Sequence, residues 1–163
     1  MDNVTEQRIK LLHPKRRDEV FNLVTQANAT TGNDITIRIV QGLRTFAEQD
    51  GLFAQGRTKP GNIVTNSKGG QSYHNYGLAI DFCFLVKSTN TLSWDTSKDW
   101  DGDNVADWLE VVQIFVKAGY TWGGSFKSIK DMPHFEKTDG HNWRDLLAMK
   151  VAGKVDADGY VLI

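Results

Sequence analysis

Two histidines and one aspartate in this chain are of the residue types that bind catalytic zinc. Six residues separate His74 from Asp81, and His134 follows much later. Imidazole nitrogens and carboxylate oxygens are zinc ligands, and two histidines with one carboxylate leave the fourth tetrahedral position open for water. The pattern predicts a catalytic metal centre. The residues alone also allow a second interpretation, in which these side chains cap turns or hydrogen-bond to the backbone.

The residues around these three side chains favour the metal interpretation. Gly77 lies between the first two ligands, where the absence of a Cβ lets the backbone bend. Ala79 shares a strand face with Asp81, and its small side chain leaves room for an ion and a water molecule. Asp131, three residues before the last ligand, would hold a proton-accepting carboxylate beside the metal.

Four other side chains of these types receive structural interpretations. Cys83 is predicted to be a core cysteine, because as a fourth ligand it would close the site to water. Glu136 shares a face with His134, and we expect it either to orient that histidine or to be exposed. His13, before Pro14, is predicted to mark a helix start, and His141 a surface position before a helix.

The spacing S-x-H-x-x-G-x-A-x-D over residues 72–81, followed by D-x-x-H at 131–134, resembles the signature of the LAS zinc peptidases. These are the D-alanyl-D-alanine carboxypeptidases and dipeptidases and the L-alanoyl-D-glutamate endopeptidases, which cut peptidoglycan peptides. The segments 42–45, 47–49, 53–58 and 122–128 resemble the phage-endolysin and bacterial autolysin branch. The resemblance covers most of the chain, from residue 41 to residue 136.

The resemblance implies a role for each residue. His74, Asp81 and His134 would bind Zn²⁺, Asp131 would be the general base, and Arg44 would stabilise the oxyanion. It implies cleavage of peptidoglycan stem peptides at the L-alanoyl-D-glutamate bond, with D-alanyl-D-alanine carboxypeptidase activity as the alternative. An alternative of another class is a non-catalytic, zinc-containing module that binds the cell wall. The presence of Asp131 and Arg44 argues against it, because binding alone needs neither.

A second acidic segment, residues 99–110, fits the pattern of a calcium-binding loop. Carboxylates fall at loop positions 1, 3, 5, 9 and 12, which are Asp99, Asp101, Asp103, Asp107 and Glu110. Asn104 replaces the usual glycine at position 6 and can also adopt a left-handed conformation. The alternative is an acidic loop that caps the following helix through Asp103 or Asn104. The sequence leaves calcium and the helix cap both open.

Composition limits the class of protein. The chain has 163 residues, 40% of them hydrophobic, with 19 basic and 20 acidic side chains. The net charge of −1 argues against nucleic-acid binding, and we find no apolar run long enough to span a membrane. We expect a monomer. The polar start does not resemble a signal peptide, so we expect synthesis in the host cytoplasm and holin-type release to the cell wall.

The elements that must position these residues belong to an α+β fold. Periodicity predicts helices over 15–29, 46–55, 105–118 and 143–150 and strands over 35–40, 78–86, 120–122, 134–136 and 160–163. Residues 57–71 form a long loop. The expectation is one domain over 1–163, with a catalytic core at about 35–137 and a C-terminal helix and strand at 142–163. The resemblance implies a small antiparallel sheet that carries the zinc site, flanked by helices, as in hedgehog and DD-peptidase domains.

Overall fold

A computed structural model describes residues 1–127 and 129–163; residue 128, the last of the 122–128 motif, lies outside them. The helices are α1 (Asn3–Lys10), α2 (Pro14–Thr30), α3 (Phe46–Ala54), α4 (Asp107–Lys117) and α5 (Trp143–Val151). The strands are β1 (Ile35–Gln41), β2 (Ala79–Val86), β3 (Thr91–Ser93), β4 (Thr121–Trp122) and β5 (His134–Glu136). Single 3₁₀ turns occur at Tyr73–Tyr76 and Gly123–Ser125.

The strands form one antiparallel sheet in the order β1-β2-β5-β4. Strand β2 is central: β1 pairs along one edge, while β5 and β3 share the other edge. In this register Asp81 on β2 lies opposite His134 on β5, although 52 residues separate them in the chain. The α+β prediction is confirmed, and no helix in the described ranges is long and apolar enough to cross a membrane.

One face of the sheet forms the main core. The alternate residues Ile80, Phe82 and Phe84 of β2 are buried there against α2 and α4. Phe82 packs against Trp108 of α4 in a tilted arrangement with ring centroids 4.2 Å apart, and such aromatic pairs stabilise a core beyond their buried area. Because side chains alternate along a strand, the packing of this face directs Asp81 to the opposite face.

Helix ends follow local sequence signals. Asp2 caps α1 by accepting a hydrogen bond from the Thr5 amide, and His13 caps α2 with Pro14 at its first position. Thr45 opens α3 with a capping box, and Asn142 does the same for α5. These caps set where each helix begins and so fix the lengths of the loops between them.

The outer edge of β1 is closed by side chains from α1 and α2. The Ile39 amide donates to the Thr5 hydroxyl at 3.1 Å, and the Ile37 amide donates to the Asn28 side-chain oxygen at 2.8 Å. Arg8 donates to the carbonyl of Ile39. The backbone groups that an edge strand would present to solvent are therefore satisfied within the chain.

The two chain ends differ from the prediction. Helix α1 was not predicted, because it is only eight residues long and buries only Thr5 and Ile9. The strand predicted at 160–163 is wrong: that segment makes a single bridge, between Val155 and Val161. Val161 is buried in a small second cluster, and its carbonyl accepts a hydrogen bond from His13 at 2.9 Å. Apolar residues there are buried by packing against helices rather than by pairing in a sheet.

Candidate metal centre

The structure brings the three predicted ligands together. His74 lies on the 3₁₀ turn before β2, Asp81 on β2 and His134 on β5. The distance from His74 Nε2 to His134 Nδ1 is 3.2 Å, and Asp81 Oδ1 lies 3.3 Å from the first atom and 3.0 Å from the second. Metal–ligand bonds of about 2.1 Å place tetrahedral ligands about 3.4 Å apart, so this triangle fits a zinc ion with a fourth position free.

The hydrogen bonds behind the two imidazole rings identify which nitrogens can bind a metal. His74 Nδ1 donates to the Gly42 carbonyl at 2.8 Å, and His134 Nε2 donates to the Glu136 carboxylate at 2.9 Å. Each neutral ring therefore turns an unprotonated nitrogen toward the centre, where the Asp81 carboxylate also points. Three acceptors facing one another repel unless a cation lies between them, so the donor set fits a zinc ion.

Burial and neighbouring charges shift the pKa of Asp81 and the pKa of His134. Burial raises the pKa of Asp81, but the two imidazoles outweigh burial and hold it well below its ordinary value. Burial lowers the pKa of His134, but hydrogen bonds to Asp81 and Glu136 outweigh it and raise the pKa to about 9. The centre therefore attracts a cation, whether a proton or a metal ion.

Local contacts explain why the sequence bends at His74. Gly77 has φ of 67°, and a Cβ there would lie 2.5 Å from the His13 nitrogen, so only glycine fits without displacement. The side-chain nitrogen of Asn75 donates a hydrogen bond to the Arg44 carbonyl at 2.9 Å. The side-chain oxygen of Asn75 accepts one from the backbone amide of Gly70, also at 2.9 Å. The turn that carries His74 is thereby joined to the segment before α3 and to the end of the long loop.

Arg44 and Asp131 line the same cavity, of about 520 Å³, as the three ligands. Arg44 Nη2 lies 4.0 Å from Asp81 Oδ2, and Arg44 Nη1 donates to Gln49 Oε1 at 2.9 Å. Burial raises the pKa of Asp131, and the charge of Asp81 raises it further. All five residues predicted for the zinc site thus meet at one cavity, with a cation and a carboxylate beside the ligands.

Gln49 was not singled out in the sequence. It is fully buried on α3, where its Nε2 donates to the Ser67 carbonyl at 2.8 Å while its Oε1 accepts from Arg44. It therefore holds Arg44 against the loop that lines the cavity. Its signal was a polar residue on the apolar side of a short helix, three residues after Phe46 and four before Phe53.

Gly123 explains the paired glycines before Asp131. A Cβ on Gly123 would lie 2.3 Å from the Asp131 carbonyl oxygen and 2.9 Å from the His134 Cβ. The Asp131 amide donates to the Gly123 carbonyl at 3.1 Å, and Trp122 Nε1 donates to the Met132 carbonyl at 2.8 Å. These contacts pack the segment from Asp131 to His134 directly against β4.

The acidic loop is a separate cluster. Its carboxylate oxygens form two groups that could each hold an ion: Asp99 with Asp101 and Asp107, and Asp101 with Asp103 and Glu110. Gly102 and Asn104 take left-handed conformations. The predicted side-chain cap by Asp103 or Asn104 is wrong, because the N-cap of α4 is Ala106, which makes no side-chain cap hydrogen bond.

Two carboxylates of this loop have contrasting environments. Asp107 is buried and accepts from the amides of Gly32 at 2.6 Å and Trp100 at 2.7 Å. Glu110 Oε2 is also buried, yet it has no hydrogen-bond partner among the described residues. Burial and the surrounding aspartates raise the pKa of Glu110 to about 7.

Comparison with known proteins places these residues in context. The family model "D-alanyl-D-alanine carboxypeptidase" matches residues 65–137, which include the three ligands and Asp131. The peptidoglycan L-alanyl-D-glutamate endopeptidase CwlK of Bacillus subtilis (strain 168) is 49% identical over 125 residues, covering 77% of this chain and 72% of that protein. The crystal structure of the Serratia marcescens L-Ala D-Glu endopeptidase ChiX has the same fold, with a TM-score of 0.55 and 21% identity over 89% of this chain and 91% of that one.

Proposed function

Because this chain belongs to the LAS-type metallopeptidase family, which includes the peptidoglycan L-alanyl-D-glutamate endopeptidases, we propose that it cleaves the L-alanoyl-D-glutamate bond of stem peptides with zinc bound at His74, Asp81 and His134. It is a peptidoglycan hydrolase. The observation that supports zinc is the triangle of three acceptor atoms, 3.0–3.3 Å apart, with no proton of its own in the neutral state.

The residues around the centre have distinct roles. When bound, zinc acts as a Lewis acid and lowers the pKa of a water molecule toward about 7. Asp131 accepts the proton from the attacking water and returns it to the leaving amine. Arg44 donates hydrogen bonds to the oxyanion that develops on the scissile carbonyl, and Gln49 keeps the guanidinium in place. All of these residues come from one chain, and we propose that the enzyme acts as a monomer, which light scattering can test.

The bond that is cut is the finer part of this proposal. The 49% identity to an L-alanyl-D-glutamate endopeptidase supports it, whereas the name of the matched family model favours D-alanyl-D-alanine carboxypeptidase activity as the second candidate. Mass spectrometry of muropeptides after digestion separates the two. The endopeptidase exposes a new amine on D-glutamate, while the carboxypeptidase releases free D-alanine. Zinc binding without any product would instead indicate the non-catalytic wall-binding module.

We propose a role in phage lysis, with synthesis in the host cytoplasm and holin-type release to the wall. The resemblance of segments 42–45, 47–49 and 53–58 to the phage-endolysin and bacterial autolysin branch supports this context. The test is expression in a bacterial host with and without a holin. Lysis that requires the holin supports the proposal, and lysis at the same rate without it contradicts the proposed release route.

We also propose that Ca²⁺ binds the 99–110 loop. The two carboxylate groups and the buried, unpartnered Oε2 of Glu110 support it. Calcium at millimolar concentration should raise the melting temperature or the activity, and a calcium-selective chelator should reverse the change. Absence of both effects would contradict the proposal.

A further inference from the structure

The two histidines of the metal centre direct different ring nitrogens toward it. His74 turns Nε2 inward and is held from behind by the backbone carbonyl of Gly42, whereas His134 turns Nδ1 inward and is held by the side chain of Glu136. The first support belongs to the backbone and is independent of the side chain at that position. The second depends on one carboxylate, so the orientation of the two ligands is secured by different means.

The position of Glu136 on β5 suits this contact. Phe135 is fully buried in the core on the opposite face, and Ala79 of β2 pairs with Glu136 across the sheet. His134 and Glu136 therefore project from the same face, two residues apart, and the carboxylate reaches the far nitrogen of the ring. The Glu136 side chain is only 18% exposed, so water competes weakly for this hydrogen bond.

An imidazole ring can turn about its Cβ–Cγ bond, which exchanges the positions of Nδ1 and Cδ2 and those of Nε2 and Cε1. For His134 the turned ring would direct Nδ1 away from the centre and leave the Glu136 carboxylate without its donor. The opposing Asp81 carboxylate lies 3.0 Å from Nδ1 only in the observed orientation. The hydrogen bond to Glu136 therefore favours the one ring orientation that completes the triangle.

We propose that Glu136 is a positioning residue that fixes His134 with Nδ1 toward the metal and so determines how firmly the centre retains zinc. This role rests on the proposed zinc dependence. It requires the acceptor oxygen at its present distance, not merely a negative charge nearby. Glutamine keeps an acceptor at that distance without the charge, and aspartate keeps the charge but is one methylene too short.

The test compares Glu136→Gln with Glu136→Asp, and Glu6→Gln on α1 is the matched control. Zinc affinity is measured by competition with a chromogenic chelator, and the hydrogen-bonded Nε2 proton of His134 is followed by NMR. We expect Glu136→Gln to retain the NMR signal and to bind zinc within a few-fold of the wild type. Glu136→Asp should lose the signal and 10–100-fold in affinity.

The outcomes separate this role from others. Aspartate that binds zinc as tightly as glutamine, or more tightly, would overturn the proposal, because charge or general stability would then explain the residue. Loss of activity in both variants with unchanged zinc affinity would also overturn it and would assign Glu136 to the substrate. A wild-type protein that binds no zinc would contradict the proposed function itself.

Discussion

Among the residues that the structure describes, metal-ligand side chains gather in two regions, and these differ in where their hydrogen bonds go. At the His74, Asp81 and His134 centre the outer atoms of both imidazoles are bound to other segments, and three acceptors face one another. In the 99–110 loop the carboxylates accept hydrogen bonds from backbone amides instead. Asp99, for example, accepts from the amides of Gly102 and Asn104. The first cluster needs a cation, whereas most of the second is satisfied by its own backbone.

This difference teaches how a metal site can be distinguished from an acidic loop. Residue types and spacing fit a metal in both places. Only the first combines ligands from distant segments with supports that orient their lone pairs, and only Glu110 in the second lacks such a partner among the described residues. Preorganisation by contacts outside the ligand set is therefore the more discriminating feature.

The largest expected effect separates metal binding from chemistry at the first cluster. His134→Ala should lose both zinc and hydrolysis, because it removes a ligand. Asp131→Asn should keep zinc but lose activity by roughly 10²–10⁴-fold, since it removes the proton acceptor. Metal analysis measures the bound zinc, and the release of soluble muropeptides measures hydrolysis. Asp18→Asn, on the exposed side of α2, is the control. A fully active Asp131→Ala enzyme would refute the base assignment.

A smaller effect is expected at the cationic side of the same cavity. Arg44→Gln should lower kcat by about 10²–10³-fold with zinc content unchanged, because it removes an oxyanion donor. Gln49→Leu should lower kcat less, since the guanidinium remains but loses its fixed partner. Steady-state kinetics on a soluble stem peptide measures both, with the exposed Arg144→Gln as control. A Gln49→Leu enzyme with wild-type kcat would show that Arg44 needs no such support.

The smallest effect concerns the acidic loop and its pH dependence. The pKa of Glu110 is raised to about 7 in the folded protein, so its contribution to stability is present below its ordinary pKa and is lost as the pH rises toward 7. In calcium-free buffer the wild type should lose a few degrees of melting temperature between pH 5 and pH 8 relative to Glu110→Gln.

Differential scanning calorimetry with Glu6→Gln as control checks this expectation. Millimolar Ca²⁺ should then stabilise the wild type more than the Glu110→Gln variant, because the ion offsets repulsion among the carboxylates. Parallel pH curves for the wild type and Glu110→Gln would contradict the raised pKa of Glu110 and would leave the acidic loop without any group that needs a cation.

Sequence reasoning reached the ligand set because zinc chemistry restricts residue types. The spacing to His134 pointed to Asp131, and the resemblance supplied Arg44. Sequence reasoning could not supply the register that places Asp81 opposite His134, since these two residues are 53 positions apart in the chain. It left Glu136 open between two roles, because a hydrogen bond to a ring nitrogen depends on side-chain orientation. The buried position of Gln49 likewise depends on how α3 packs on the long loop.

The secondary structure was likewise predicted only in part from the sequence. Helices α2, α3, α4 and α5 were predicted to within a few residues. The apolar run at 160–163 was mistaken for a strand, because burial against a helix and pairing in a sheet demand the same residues over so short a length. Helix α1 was missed because two buried residues are too few to establish a period.

The closed edge of β1 has a consequence for the behaviour of the protein in concentrated solution. Because Thr5, Arg8 and Asn28 occupy the backbone groups of Ile37 and Ile39, a strand from another molecule finds no free ladder to extend there. Removal of the first twelve residues would free the amide and the carbonyl of Ile39, while Asn28 on α2 would still accept the Ile37 amide. Because a free edge strand can pair with a strand of another molecule, helix α1 lowers the tendency of β1 to form intermolecular sheets.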